Sequence, residues 1–336
     1  MDRTKKIKAA VIGVGYLGRF HAQKYAQMED VDLVAVVDTS EETAARVAEE
    51  TGTSCYTDTD AILDRIEAAS VVVPTTYHYE IASLLLSRGI HVMLEKPITT
   101  TVEQADALIE MAAATGAVLQ VGHLEQFNPA VITLRDQVTT PLFIEAHRLS
   151  SFKPRSIDVD VVLDLMIHDI EIVLSMVDSP VKEIRASGMP VLTPNVDIAN
   201  VRLIFENGCT ANLTASRISL NNMRRIRVFQ PGSYISADCT EKSNLFVTGD
   251  ITEPGAAMSI VPEVTTHDNT DILLDELQAF IRAVRGKEAP RVSGVEGRNA
   301  LSLALDINRA IEEGLSGAEI LKQHDLIPAS VREVPL

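Results

Sequence analysis

Residues 6–27, KIKAAVIGVGYLGRFHAQKYAQ, constrain the fold more than any other segment of the chain. The apolar run Ile7–Ile12 predicts a buried strand, the glycines after it a turn, and the remainder a helix. Gly13, Gly15 and Gly18 stand in G-x-G-x-x-G spacing within that strand–turn–helix context. Gly13 permits the tight turn, Gly15 lets the backbone approach a pyrophosphate, and Gly18 lets the helix pack on the strand. The helix N-terminus then offers N–H groups and a positive dipole end to phosphates. Gly13, Gly15, Tyr16, Leu17 and Gly18 are therefore candidate dinucleotide contacts. The next strand, VDLVAVVD, ends on Asp38, about 20 residues past Gly18, where a carboxylate would accept hydrogen bonds from an adenosine ribose. Thr39 and Ser40 follow, with no arginine for a 2′-phosphate, so NAD is expected rather than NADP.

Strands and helices keep alternating up to about residue 122, which predicts a doubly wound parallel sheet of the Rossmann type. Ligands of such sheets bind beyond the carboxyl ends of the strands. Three groups qualify: Pro74–His78, Glu95–Pro97 and Gly122–Asn128. Thr75, Thr76 and His78 are candidates for the nicotinamide ribose, although a threonine there also serves as a helix cap. Glu95 is a candidate acceptor of ribose hydroxyls. Lys96 follows a buried strand and precedes Pro97, which disfavours continuation into helix and holds the amine at the rim. Glu125 and Asn128 are candidate substrate contacts, with turn chemistry as the alternative for Asn128 before Pro129.

After residue 122 the rhythm changes to strands joined by turns such as ENG (206–208) and QPGS (230–233). The expectation is an α/β chain of two domains. A Rossmann domain spans 1–122, and an α+β domain with a large, mostly antiparallel open sheet spans 123–336. Within VVLDLMIHDIEIVL, Asp164, His168 and Glu171 recur at i, i+4, i+7, a polar stripe on an otherwise apolar helix. Such a stripe is structural, metal-binding or catalytic. No second histidine stands at ligand spacing, so no metal is expected. Arg148, Lys153 and Arg155 lie in the linker before this helix, Lys153 and Arg155 as candidate substrate contacts. Arg224, Arg225 and Arg227 decorate a strand face or gather an anion.

Bulk composition excludes several partners. A formal charge of −17 argues against nucleic acid and anionic lipid, both of which require clustered Lys and Arg. Cys55, Cys209 and Cys239 are widely spaced, which indicates neither zinc nor a disulfide framework and favours a cytoplasmic setting. The basic start and short apolar run are not read as a signal peptide, because the run holds three glycines and ends on Arg19. No apolar stretch approaches the ~20 residues of a membrane span.

The glycine fingerprint, the strand-ending EKP and the later Asp-x-x-x-His helix together resemble the Gfo/Idh/MocA oxidoreductases, in that family's order and over nearly the whole chain. The resemblance implies an NAD(P)-dependent sugar or polyol oxidoreductase in which Lys96 matches the catalytic lysine. Asp164 and His168 match the pair flanking the substrate hydroxyl, and DVDVV replaces the family's glycine-rich lead-in. GHLEQFNPA and DVDVVLDLMIHDIEIVL look like the subgroup oxidising C3 of UDP-N-acetylglucosamine. Alternatives are an inositol or free-aldose dehydrogenase, a more distant biliverdin-reductase-like reducer, or a non-catalytic dinucleotide-binding regulator. On the catalytic reading His168 is the favoured base, since imidazole titrates near neutrality, while Lys96 stabilises the alkoxide or shares the proton. Asp164 orients His168. An antiparallel sheet covered on one face suggests a homodimer or homotetramer through the other.

Overall fold

The computed structural model describes residues 5–152, 159–250, 259–268 and 270–317. They divide into two units: residues up to Phe127 together with Asp271–Leu301, and Asn128–Thr270 together with the chain from Ser302.

In the first unit, β1 (Ile7–Ile12), β2 (Val31–Val37), β3 (Ser54–Tyr56), β4 (Ala68–Val71), β5 (His91–Glu95) and β6 (Leu119–Gly122) form a parallel sheet. Its order is β3-β2-β1-β4-β5-β6, the Rossmann order, with the direction of winding reversing between β1 and β4. The crossover helices are α1 (Tyr16–Gln27), α2 (Glu41–Thr51), α3 (His78–Ser87) and α4 (Val102–Thr115). Local chemistry sets their ends. Ser40 and Thr101 accept the N–H groups of Thr43 and Gln104 as N-caps, and Gly52 and Gly116 close α2 and α4 in the left-handed region.

Sequence order assigns residues 271–301 to the second domain, but they belong to the first unit. The reason is burial: α7 (Ile272–Val284) inserts Leu277, Phe280, Ile281 and Val284 into the core formed by Val11, Ala22, Tyr25, Val36 and Met93. Burying each large apolar side chain stabilises by about 1.5–3 kcal/mol, so the amphipathic face of α7 is held firmly.

The second unit is built on eight strands: β7 (Phe143–Leu149), β8 (Val181–Met189), β9 (Ile198–Phe205), β10 (Thr210–Ser216), β11 (Met223–Gln230), β12 (Ser233–Asp238), β13 (Ser243–Asp250) and β14 (Ser259–Thr266). Their order is β14-β13-β12-β11-β7-β10-β9-β8. Neighbours pair antiparallel except β7 and β10, which run parallel. Gly208 and Gly232, both at positive φ, turn the β9–β10 and β11–β12 connections. Alternation is clear. Ala199, Val201, Leu203 and Phe205 of β9 and Ala211, Leu213 and Ala215 of β10 are buried on one face. That face is covered by α5 (Pro129–Gln137), α6 (Ile167–Met176) and the later part of α8 (Gly294–Gly317). The other face carries polar pairs such as Asn200–Thr214 and Arg202–Asn212. No helix among the described residues is long and apolar enough to cross a membrane.

Candidate functional site

The glycine turn between β1 and α1 shows why each glycine is needed. Gly13 adopts φ +82°, and a Cβ there would lie 2.6 Å from the Val72 carbonyl oxygen. A Cβ on Gly18 would lie 1.8 Å from the Gly13 oxygen, so helix and turn pack backbone to backbone. Gly15 differs: nothing lies within 4 Å of the position a Cβ would take. It is the N-cap of α1 and makes no side-chain capping bond. The helix N-terminus is thus open for an anion to approach. Tyr16 and Leu17, on the first turn, are exposed, and Tyr16 packs edge-on against Phe20. Asp38, after β2, takes the Val14 N–H on Oδ2 (3.0 Å) and the Ser40 N–H on Oδ1 (2.9 Å). Each oxygen keeps acceptor capacity for a ribose hydroxyl.

The turn after β4 and the end of β5 are locked together. Thr75 and Thr76 lie on a short 3₁₀ turn, Thr75–Tyr77, half-buried and exposed respectively. His78 is not available to a ribose. It is buried, with Nδ1 2.8 Å from the Pro97 oxygen and Nε2 2.9 Å from the Val73 oxygen, joining the two segments. Burial lowers its pKa against the raising effect of those carbonyls. Glu95 is likewise turned inward instead of being offered to a ribose. Its Oε1 lies 3.3 Å from His21 Nε2, and its Oε2 accepts the Lys96 N–H at 3.3 Å. Lys96 is half-buried, and the Lys96–Pro97 peptide is cis. His123, at the end of β6, is fully buried, and burial together with the Lys96 charge pushes its imidazole down to about 3. Sequence reading placed the strand end Gly122–Asn128 at the site but passed over His123 itself.

Glu125 is buried within the 3₁₀ turn Leu124–Phe127. Asn128 is a structural cap: Oδ1 accepts the Ala130 N–H at 3.1 Å, and Nδ2 donates to the Cys239 oxygen at 2.9 Å. The turn-chemistry alternative holds, and its role as a substrate contact does not. Lys153 and Arg155 lie outside the described residues.

In the second unit Asp160 organises the helix start. Its Oδ1 accepts the N–H groups of Val162 and Leu163, and Oδ2 accepts Asn308 Nδ2 at 2.9 Å. A cap at this position is readable from an aspartate just ahead of the apolar run. The turn that follows, Val162–Met166, is a π turn, with α6 continuing from Ile167. The stripe expected of a regular α-helix is therefore interrupted by a wider turn at Asp164, a feature common at functional positions. Asp164 and His168 are half-buried; Glu171 is buried. Asp169, set apart by helical geometry, pairs with Arg148, which lies on β7 and not in a linker. Arg225 pairs with Asp238 (2.9 Å) and Arg227 with Glu145 (2.6 Å) across neighbouring strands, so these two arginines are committed to the sheet face and not to an anion site.

Comparison with known proteins decides the family. Residues 7–123 match the family model described as "Oxidoreductase family, NAD-binding Rossmann fold", and residues 138–231 match the "GFO/IDH/MocA C-terminal domain". The chain belongs to the Gfo/Idh/MocA oxidoreductase family. It is similar to a UDP-N-acetylglucosamine 3-dehydrogenase of Acidithiobacillus ferrooxidans, 38% identical over 91% of this chain and 97% of the relative. A solved structure of the dehydrogenase of that name from the same organism superposes with a TM-score of 0.86 at 37% identity, covering 91% of this chain and 97% of that one. A myo-inositol 2-dehydrogenase of Thermotoga maritima is 26% identical over 91% of this chain and 97% of the relative.

As a Gfo/Idh/MocA protein the chain binds NAD through its first unit. The residues fit that group: the open space at Gly15 admits a pyrophosphate, the uncapped α1 start supplies N–H donors, and Asp38 stands where a ribose is held.

Proposed function

We propose that the chain oxidises a secondary hydroxyl of a sugar or nucleotide-sugar, and that the substrate is UDP-N-acetylglucosamine, oxidised at C3. The observation that carries this reading is the 38% identity extending over 91% of the chain to a dehydrogenase of that substrate. Overall, a carbinol and NAD⁺ give a ketone, NADH and a proton. NAD supplies the hydride acceptor.

The chain's own residues must handle the proton and the developing charge on oxygen. His168 takes the hydroxyl proton, since an imidazole is effective as a base near neutral pH. Lys96 donates to the same oxygen and stabilises it as it becomes alkoxide-like. Asp164 orients His168 and accepts from a neighbouring hydroxyl. Thr75 and Thr76 are the remaining ribose candidates, and Glu125 the remaining substrate candidate. A homodimer or homotetramer through the polar face of the second sheet, and a cytoplasmic setting, complete the proposal.

The inositol alternative is supported by the 26% identity to the Thermotoga maritima enzyme. Incubation with NAD and either UDP-N-acetylglucosamine, myo-inositol or free aldoses, with NADH absorbance followed, separates the two. Preferred turnover of the nucleotide-sugar supports the proposal; preferred turnover of inositol replaces it.

A further inference from the structure

The first unit contains a buried group of titratable side chains that the proposed chemistry does not use. Glu276, on α7, is fully buried, and neither carboxyl oxygen has a hydrogen-bond partner among the described residues. Its backbone oxygen is held by Gln120 Nε2 at 3.3 Å. β6 brings Glu276 and Glu95 together: Gln120 holds the Glu276 backbone and the Glu95 carboxyl lies against Gly122, two residues on, so that the Glu95 charge acts on the Glu276 carboxyl. The titratable groups on the elements packed against α7 are Tyr16, Arg19, His21, Lys24 and Tyr25 of α1, His91 and Glu95 of β5, and Glu125. Lys24 is engaged by Asp271, the N-cap of α7. The Tyr25 hydroxyl is bonded to Ser70 Oγ at 2.9 Å.

Two carboxyls sharing one buried region do not both ionise, and the proton goes to the one with poorer partners. Glu95 has the better partner: its Oε2 accepts the Lys96 N–H at 3.3 Å, while His21 Nε2 lies 3.3 Å from Oε1 without making a hydrogen bond. It is also wedged against β6, where a Cβ on Gly122 would come within 2.9 Å of Oε1. Glu276 has none of these. Burial first, and the Glu95 charge second, hold its carboxyl well above the ordinary carboxylate range.

We propose that Glu276 is a proton-carrying positioning residue: by remaining a neutral acid it leaves the Glu95 carboxylate unopposed, and so preserves the Glu95–Lys96 turn at the cofactor end of the sheet. Its effect on turnover rests on the proposed role of Lys96; its protonation and its effect on NAD binding do not.

Infrared difference spectra of wild type against Glu276→Gln, near neutral pH, should show the carbonyl stretch of a protonated carboxylic acid in wild type only. Should Glu276→Gln not fold, carbon-13 NMR of wild type labelled at glutamate carboxyls should show one carboxyl still protonated near pH 7. NAD affinity, measured by calorimetry from about pH 6 to about pH 10, should fall by about tenfold on the alkaline side in wild type as Glu276 ionises. Glu276→Gln should hold its affinity to higher pH. Fully ionised glutamates at neutral pH, or parallel affinity profiles, would overturn the proposal. Neither readout involves a sugar, so failure to turn over UDP-N-acetylglucosamine would count against the proposed reaction alone.

Discussion

Arg148 on β7 and Asp169 on α6 form a buried, forked ion pair: Nε donates to both carboxylate oxygens at 3.1 Å, and Nη2 donates to Oδ1 at 2.7 Å. The pair ties the helix bearing His168 to a central strand of the sheet. Removing one partner leaves the other charge buried without this counter-ion, a change that costs about 3–5 kcal/mol. Asp169→Leu and Arg148→Met should each lower unfolding free energy by roughly that amount, while the two substitutions together should recover much of it. Urea unfolding of the four proteins in a double-mutant cycle measures the coupling; additive losses would show that the pair does not act as a unit.

The glycine turn separates folding from binding. Gly18→Ala forces a Cβ to 1.8 Å from the Gly13 oxygen, so turn and helix must part. It should lose both stability and NAD affinity. Gly15→Ala meets no protein atom within 4 Å and should melt like wild type. It should nevertheless bind NAD at least ~10-fold more weakly, because the methyl group occupies the space a pyrophosphate needs. Calorimetry alongside thermal melts distinguishes the two variants.

A pH dependence follows from His123, whose imidazole is pushed down to about 3 by burial and by the Lys96 charge. In the unfolded chain it takes up a proton as pH falls through about 6.5, whereas the folded protein refuses that proton until far lower pH. The stabilisation is therefore complete above about pH 6.5 and is lost progressively as pH falls toward 3, to the order of 5 kcal/mol at most. His123→Gln should lack this slope. Urea unfolding between about pH 7 and about pH 5 compares them, and equal slopes would show that His123 takes up its proton without regard to folding.

Periodicity and turn chemistry made much of this protein legible. The run Ile7–Ile12 is β1 with those bounds, Asp38 directly follows β2, and glycines at 208 and 232 turn the chain as expected. What escaped was long-range. An amphipathic α7 announces an apolar face, but which unit buries that face depends on where the chain returns. His78 and Asn128 carry the right chemistry at strand ends, yet backbone carbonyls and N–H groups claim both. The π turn at Asp164 leaves no mark on spacing, because VVLDLM suits a regular helix equally well. Arg148 reads as a loose linker cation until β7 places it against Asp169.

The central chemical claim is tested most directly by steady-state kinetics of wild type and Lys96→Ala with NAD and UDP-N-acetylglucosamine, with NAD binding measured separately. Wild type should form NADH, and the variant should lose at least ~100-fold in kcat while still binding NAD. Full turnover by Lys96→Ala, or tight NAD binding by wild type without oxidation of any sugar, would contradict it.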